Sequence, residues 1–168
     1  MLDNAGHICG TMPDPNGPRA FVWQAGKGRR ILDTLGGVHS VALAMNNRGQ
    51  IAGLSYDANG IPRAFVWDEA ANIRELRAPD GGRYVPYGIN DAGQVLAESI
   101  RVPAEVWQWF LIDSNGVTLV DGIPANPDLR NVNNSGCVAG VDNSTASSPR
   151  LVLWRKGCAP QYVTSVSV

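Results

Sequence analysis

The hydrophobic positions of this chain fall into short runs separated by turns rich in asparagine, aspartate and glycine. An Asn/Asp-rich turn that ends in glycine occurs four times, at residues 3–6, 46–49, 90–93 and 133–136. The final glycines of these turns are 43, 44 and 43 residues apart. Asparagine and aspartate tolerate the left-handed backbone conformation that hairpin loops require, and glycine adopts it freely. The pattern therefore predicts four copies of one repeat, with a hairpin at the same place in each.

A second landmark keeps the same spacing. The run Arg19–Trp23 (Arg-Ala-Phe-Val-Trp) recurs 44 residues later as Arg63–Trp67, and looser copies occupy Gln108–Ile112 and Arg150–Trp154. In the first two copies the aromatic side chains are two residues apart, so they share one face of a strand while the residue between them points to the other face. The aromatic residues of these runs are the candidate structural residues: Phe21, Trp23, Phe65, Trp67, Phe110 and Trp154.

Each repeat resolves into four short strands, and no segment shows a sustained helical spacing of apolar residues. In the second repeat the predicted strands are 38–45, 50–57, 62–68 and 73–77. Four-stranded units that recur every 43–44 residues are typical of the blades of a β-propeller. One sheet with apolar residues on both faces cannot bury both alone, whereas stacking against neighbouring sheets buries them.

We therefore predict a single all-β domain over residues 1–168, built as a propeller-like array of about four four-stranded blades. The approximate units are 1–37, 38–81, 82–126 and 127–168.

We expect this array to have an open side. The first repeat begins at its turn, so its innermost strand is missing, and the last repeat ends near its outer strand. Pro86 places the segment 83–89 at the inner edge of its blade, because proline cannot donate a hydrogen bond within a sheet. Open edges and apolar faces invite pairing with another chain. We therefore predict either that the natural protein carries further repeats or that this chain self-associates, two copies approximating a seven- or eight-bladed ring.

The composition of the chain argues against two kinds of partner, nucleic acid and membrane. The apolar fraction of 44% and the charged fraction of 17% are those of a globular domain. The 14 basic residues are spread along a chain of net charge −1, so no basic block indicates nucleic-acid binding. No apolar run approaches the ~20 residues that span a bilayer, and the first residues do not form a signal peptide. We predict neither a nucleic-acid partner nor a membrane span.

The titratable residues form no catalytic or metal-binding motif. His7 and His39 have none of the partner residues that a zinc site or a catalytic triad needs, so both are interpreted as ordinary strand residues. The segment Asp57–Gly60 resembles part of a calcium loop but lacks the further acidic ligands, and a hairpin turn is favoured. We predict no catalytic residue, no metal and no cofactor.

The third and fourth repeats depart from the pattern, and exposed loops on a rigid scaffold often carry function. Trp107 and Trp109 lie in the third repeat, where packing between blades is the favoured interpretation and a sugar-stacking surface is the alternative. Four carboxylates in these irregular repeats are interpreted as solvated loop charges, and they also mark where an active site would lie: Glu98, Glu105, Asp121 and Asp128.

The three cysteines suggest one disulfide. Cys137 opens a strand of the last repeat, and Cys158 follows the strand that ends at Trp154. In an antiparallel hairpin the start of one strand lies beside the end of the next. We therefore predict a bridge between Cys137 and Cys158, with Cys9 left free.

The paired landmarks resemble the HAF-repeat family of extracellular bacterial repeat proteins. The segment Ile89–Gln94 is similar to the family's Ile-Asn-x-x-Gly-Gln, and Leu32–Gly37 is similar to its Leu-Gly-Thr-Leu-Gly-Gly stretch. Arg19 and Arg63 stand where the family has histidine. The resemblance implies an exported bacterial repeat domain, extracellular or periplasmic, and it carries no assigned chemistry. An oxidising compartment would agree with a disulfide.

These observations favour a non-enzymatic exported binding or scaffold module whose partner is a protein or a glycan. The alternative is a hydrolase or lyase acting on a polysaccharide, with carboxylates at the mouth of the propeller channel. Glycosidases need two carboxyl groups roughly 5–10 Å apart, so the distance between such groups separates the two hypotheses. A third hypothesis is a purely structural piece of a longer propeller.

Overall fold

The computed structural model of the chain describes residues 1–77, 82–101, 106–123, 127–143 and 149–163. This part of the chain contains fifteen strands and no helix. The strands form four antiparallel sheets, and none of these sheets closes into a barrel. The predicted all-β, propeller-like array of four blades is therefore confirmed.

Consecutive strands pair within each sheet, so every sheet is a simple meander. The first sheet contains β1 (Ile8–Met12), β2 (Arg19–Gln24) and β3 (Gly28–Ile31). The second contains β4 (Gly36–Met45), β5 (Ile51–Asp57), β6 (Pro62–Asp68) and β7 (Asn72–Glu75). The third contains β8 (Arg83–Ile89), β9 (Val95–Arg101), β10 (Val106–Asp113) and β11 (Gly116–Leu119). The fourth contains β12 (Pro127–Val132), β13 (Val138–Asp142), β14 (Arg150–Trp154) and β15 (Gln161–Val163).

The sheets meet through their innermost strands. Strand β4 contacts β1 and β2, strand β8 contacts β4, β5 and β6, and strand β12 contacts β8 and β9. The outermost strands β3, β7, β11 and β15 make no extensive contact with another sheet. The sheets therefore converge at one edge and diverge at the other, as propeller blades do. Pro86 lies in β8, at the inner edge of the third sheet, as its missing N–H predicts.

One face of each sheet packs against the sheet before it, and the other face packs against the sheet after it. Phe65 and Trp67 are fully buried in one cluster with Val22 of the first sheet. Val66 points to the opposite face and packs with Ile112 of the third sheet. We call these the aromatic face and the aliphatic face.

The same arrangement continues to the end of the array. Phe110 is half-buried on the aromatic face of the third sheet, in contact with the cluster that contains Val66. Trp154 of the fourth sheet is fully buried in a cluster with Leu111 of the third sheet. Each internal interface thus joins the aliphatic face of one sheet to the aromatic face of the next.

The first sheet differs in burial although its sequence is the same. Trp23, the counterpart of Trp67, is 38% exposed, and Phe21 is only half-buried. In the described part of the chain no sheet covers the aromatic face of the first blade, so Trp23 lies on an end face of the array. The missing innermost strand is confirmed: the first sheet has three strands, and only an isolated bridge from Leu2 to Ile8 occupies the place of a fourth.

Asparagine side chains in successive turns form hydrogen bonds that join one sheet to the next. Asn46 donates its side-chain amide to the backbone carbonyl of Asn90 at 2.8 Å, and Asn90 donates in the same way to the carbonyl of Asn133 at 2.7 Å. The side-chain amide of each of these asparagines also donates to the side-chain oxygen of the glutamine four residues later, Gln50 or Gln94. The repeated asparagine therefore both shapes its own turn and joins it to the next.

A second row of hydrogen bonds runs beside the first. The backbone N–H of Asn4 donates to the side-chain oxygen of Asn47 at 3.1 Å. The backbone N–H of Asn47 donates to the Asp91 carboxylate, and that of Asp91 donates to the side-chain oxygen of Asn134, both at 2.8 Å. We call the two rows together the turn ladder. Because one ladder spans all four sheets, it holds the array as a rigid stack.

The predicted disulfide is not formed: Cys9, Cys137 and Cys158 are all free. In the β13–β14 hairpin Val138 pairs with Trp154, so the next residue out, Cys137, lies opposite Arg155 and not opposite Cys158. Cys158 lies three residues farther on and is exposed, whereas Cys137 is buried. The position that hairpin geometry places beside Cys137 is thus filled by Arg155.

Candidate functional site

A cavity of about 670 Å³ lies where the second sheet meets the start of the third. It opens where β6 and β7 face the start of β8. Five charged residues line it, and these are Asp57, Arg63, Glu75, Arg77 and Arg83. Three arginines and two carboxylates give the lining one net positive charge. We call this cavity the charged groove.

The hairpin at Asp57 builds one wall of the charged groove. One oxygen of the Asp57 carboxylate accepts the backbone N–H groups of Asn59 and Ile61, each at 2.9 Å, which fixes the turn. The other oxygen accepts Nε of Arg63 at 3.1 Å. Both carboxylate oxygens are therefore used within the hairpin, and the segment Asp57–Gly60 is a turn, not a calcium loop. The hydrogen bond from Ile61, reinforced by Arg63, lowers the pKa of Asp57 below its ordinary value.

The opposite wall comes from β7. Glu75 lies 3.9 Å from Nε of Arg63 and 2.8 Å from Nε of Arg77. Arg63 is therefore held between two carboxylates, while Arg77 is largely exposed. Guanidinium and carboxylate groups alternate along the groove, so donors and acceptors of hydrogen bonds lie next to one another.

The floor of the charged groove is apolar. Ala64, Leu76 and Tyr84 are buried there, and Leu35 and Pro62 are half-buried at its sides. A small ligand would therefore find apolar contact below and polar groups around it, the usual composition of a ligand pocket.

The equivalent positions one repeat earlier do not reproduce this lining. Ile31 occupies the position of Glu75, since it pairs with Phe21 as Glu75 pairs with Phe65. His39 occupies the position of Arg83 and packs its ring against Tyr56, with the ring centroids 5.3 Å apart. Differences that include these two positions therefore separate the charged groove from the equivalent place one repeat earlier.

A second polar cluster lies between the third and fourth sheets. The Tyr87 hydroxyl donates to the Glu98 carboxylate at 3.1 Å. Arg130 forms an ion pair with Asp128, and its guanidinium carbon lies 5.2 Å from the centroid of the Tyr87 ring. Trp109 packs on the same tyrosine, with ring centroids 4.9 Å apart. The structure therefore brings together Glu98 and Asp128, two of the four carboxylates that the sequence marks.

Glu98 is the perturbed group of this cluster. Burial raises its pKa above the ordinary value of 4.5, the charge of Asp128 raises it further, and the hydrogen bond from Tyr87 opposes the rise. Burial, followed by the charge of Glu98, likewise raises the pKa of the Tyr87 hydroxyl.

The raised pKa of Glu98 predicts that replacing this residue increases the stability of the fold, by an amount that depends on pH. The folded chain binds this proton more tightly than the unfolded chain, so Glu98 costs stability as pH rises through the unfolded and then the folded pKa. Glu98→Gln keeps an oxygen for Tyr87 and removes the charge. We expect the melting temperature of the variant to exceed that of the wild type at pH 7, with the gain shrinking towards pH 4.

Glu69→Gln is the control for that measurement. Glu69 is exposed, and its hydrogen bond with Lys27 lowers its pKa, so its substitution should bring no gain at pH 7. A gain for Glu98→Gln that does not change with pH would show that packing, and not charge, is responsible.

The remaining candidate residues lie apart from both sites. The imidazole Nδ1 of His7 lies 2.7 Å from the buried Asp3 carboxylate, at the turn of the first sheet, whereas His39 lies in strand β4 of the second. Asp121 is exposed and accepts the indole N–H of Trp154 at 3.4 Å. Trp109 is buried between sheets and offers no free stacking surface. Glu105 and the side chain of Trp107 lie outside the described part of the structure.

Metal ligands and membrane spans are not found in the described part of the chain. Those residues contain no group of three or more histidine, cysteine, aspartate or glutamate side chains placed to hold a metal ion. They also contain no helix of the length and apolarity that crossing a bilayer needs.

No family model matches this chain, and no curated protein matches it. Membership of the HAF-repeat family therefore stays a prediction.

Proposed function

We propose that this chain is a non-enzymatic, exported binding module that holds a glycan in the charged groove. The observation that supports this most directly is the groove's lining, in which guanidinium and carboxylate groups alternate above an apolar floor. Export follows from the resemblance of the repeat to the HAF-repeat family. Self-association through the open ends of the stack belongs to the same proposal.

The lining suits sugar hydroxyls. A hydroxyl group both donates and accepts hydrogen bonds, so it can bridge a carboxylate such as Glu75 and a guanidinium such as Arg63. The groove volume of about 670 Å³ also falls within the roughly 300–1,000 Å³ of small-ligand pockets. An apolar peptide in the same place would leave these charged groups desolvated without partners, which is costly.

The stack also supplies rigidity. The charged groove is formed by two sheets that the turn ladder joins through Asn46 and Asn90. Groups held in place before binding lose little conformational entropy when a ligand arrives, so a preorganised groove binds more tightly than a mobile one.

Replacing Arg83 with alanine should weaken glycan binding. Arg83 is exposed at the mouth of the groove, so the substitution removes a donor without opening the core. Calorimetric titration with xylo-, cello-, manno- and chito-oligosaccharides should detect binding of at least one of them to the wild type. The affinity should fall about tenfold or more in the variant, since a hydrogen bond to a charged group is worth about 1.5–3 kcal/mol.

Arg74→Ala is the matched control. Arg74 lies on the same strand as Glu75 and is exposed, and it is not among the residues that line the charged groove. It should bind as the wild type does. The proposal would be contradicted by wild type that binds none of the four oligosaccharides, by equal weakening in both variants, or by a polypeptide that alone occupies the groove.

A polysaccharide hydrolase is a second candidate, favoured by the pairing of Glu98 with Asp128. A carboxyl group with a raised pKa can donate a proton to a leaving oxygen while a neighbouring carboxylate assists from the other side. The ion pair with Arg130 opposes this assignment because both oxygens of Asp128 are engaged by the guanidinium. Release of reducing ends from a polysaccharide by the wild type, lost in Glu98→Gln, would establish the hydrolase.

A further inference from the structure

The two end faces of the stack are the two halves of its own internal interface. At every internal junction an aliphatic face packs on an aromatic face, as Val22 does on Trp67. In the part of the chain that the structure describes, the first sheet leaves an aromatic face uncovered, and the fourth sheet leaves an aliphatic face uncovered. Each end therefore lacks the kind of surface that the other end presents.

Exposure of the side chains shows that both end faces are open. On the first sheet Ile8, Trp23 and Ile31 share the aromatic face and are 41%, 38% and 38% exposed. On the fourth sheet Leu151 and Val163 pair on the aliphatic face and are 56% and 42% exposed. Clusters of exposed apolar side chains of this kind mark sites of association.

The turn ladder is open at the same two ends. Asn133 is the equivalent, in the fourth repeat, of Asn46 and Asn90, whose side-chain amides donate to the next sheet. Among the described residues its own side-chain amide has no partner. At the other end, Asp3 is the equivalent of Asn90 in the first repeat. Its backbone carbonyl corresponds to the Asn90 carbonyl that accepts the side-chain amide of Asn46. An Asn133 amide could therefore donate to the Asp3 carbonyl of another molecule with the geometry already used inside the stack.

The second row of the ladder is complementary as well. Internally, a backbone N–H donates to the side-chain oxygen of the corresponding residue in the next sheet, as Asn47 donates to Asp91. The backbone N–H of Asn134 and the side-chain oxygen of Asn4 are the unused members of this row in the described residues. Apolar faces and ladder groups thus match in the same relative position.

We infer that a second copy of this chain docks its first sheet on the fourth sheet, head to tail, and that the reciprocal contact closes the pair into one ring. Copies joined head to tail form a closed ring when the rotation from one copy to the next is a whole fraction of 360°; otherwise they form a filament that keeps growing. Two stacks of four sheets give eight blades, at the upper end of the usual range for propellers. This inference specifies the geometry of the proposed self-association and is independent of glycan binding.

Paired face variants test the geometry. Trp23→Glu damages only the aromatic end, and Leu151→Glu damages only the aliphatic end; both side chains are exposed, so both variants should fold. Sedimentation of the full chain over about 1–200 µM spans the range of weak protein association. The wild type should reach twice the monomer mass, each variant alone should stay monomeric, and an equimolar mixture of the two should associate, because it retains one intact interface.

Two further variants separate this docking from other causes. Val38→Glu places the same charge on an exposed residue of the second sheet, away from both ends, and should associate as the wild type does. Asn133→Asp keeps the oxygen that holds its own turn but removes the amide hydrogens, and it should weaken association several-fold without changing the melting temperature of the monomer.

Several results would overturn the inference. A wild type that stays monomeric throughout would end both the self-association and its geometry. Association that survives in either single variant would show that identical faces meet, so self-association would stand while the head-to-tail contact would fall. Species that keep growing beyond the dimer would exclude closure into a ring.

Discussion

Trp67→Ala should lower the free energy of unfolding more than any other single substitution in the described core. Trp67 is the largest fully buried side chain, only 2% exposed, and it fills the interface between the first and second sheets beside Phe65 and Val22. The guanidinium of Arg30 also lies 5.4 Å from its ring centroid. Loss of a large aromatic residue from a core costs about 3–5 kcal/mol. For a chain of this size the melting temperature should fall by roughly 6–20 °C.

Trp23→Ala is an internal control for this experiment. Trp23 has the same local sequence and the same position in its sheet, but its face is uncovered. Its substitution should lower the melting temperature by only a small fraction of that amount, measured at a concentration where the wild type is monomeric. Equal losses for the two variants would show that the first sheet is covered and that the order of the stack is different.

Gly53→Ala should be the next most damaging change, although it adds a single methyl group. Gly53 pairs with Phe65 across β5 and β6, and the phenyl ring lies over it. An added Cβ would lie 2.9 Å from that ring and 2.1 Å from the backbone carbonyl oxygen of Val41. A backbone atom in a central strand cannot move aside cheaply, and overpacking of this kind costs about 1–3 kcal/mol.

Gly10→Ala tests the cause of that loss. Gly10 pairs with Phe21 as Gly53 pairs with Phe65, but an added Cβ would meet only the ring of Phe21, at 3.1 Å. Phe21 is half-buried and can shift, so the loss for Gly10→Ala should be much smaller, measured by denaturant unfolding. If both alanine variants lost the same stability, the backbone contact with Val41 would not be the reason.

The strands were predictable because their signals are local and repeated. Strand β6 spans Pro62–Asp68, the range predicted from the sequence, and its neighbours differ from the prediction by one or two residues at most of their ends. The turn asparagines were predicted as hairpin residues, but their bonds to the next sheet were not. Identical residues at one fixed spacing stack on one another in a repeat protein, and that spacing is the signal that would have revealed the ladder.

The candidate sites are formed by residues that differ from their equivalents in the other repeats. Sequence periodicity shows where such differences occur, but it does not show which of them form a site. Glu75 and Arg83 line the charged groove, whereas the equivalent residues one repeat earlier are Ile31 and His39. The Glu98 cluster depends on a strand of a different sheet. Neither pairing follows from a local pattern.

The different burial of Trp23 and Trp67 and the unformed disulfide have a related cause. Trp23 and Trp67 share one local sequence, and only the presence of a neighbouring sheet decides which is buried. Cys137 and Cys158 were placed side by side from the general geometry of a hairpin, but the register of β13 and β14 sets Arg155 opposite Cys137. Burial and register are properties of the assembled stack, so the sequence of one repeat does not determine them.

A nuclear magnetic resonance titration tests the proposed binding site most directly. The ¹⁵N-labelled chain would be titrated with the oligosaccharide that calorimetry selects, and the backbone amide signals would be followed. The account predicts that the largest shifts fall on residues of the charged groove, including Ala64, Glu75 and Tyr84. Shifts confined to Tyr87 and Glu98, or no shifts at saturating oligosaccharide, would contradict it.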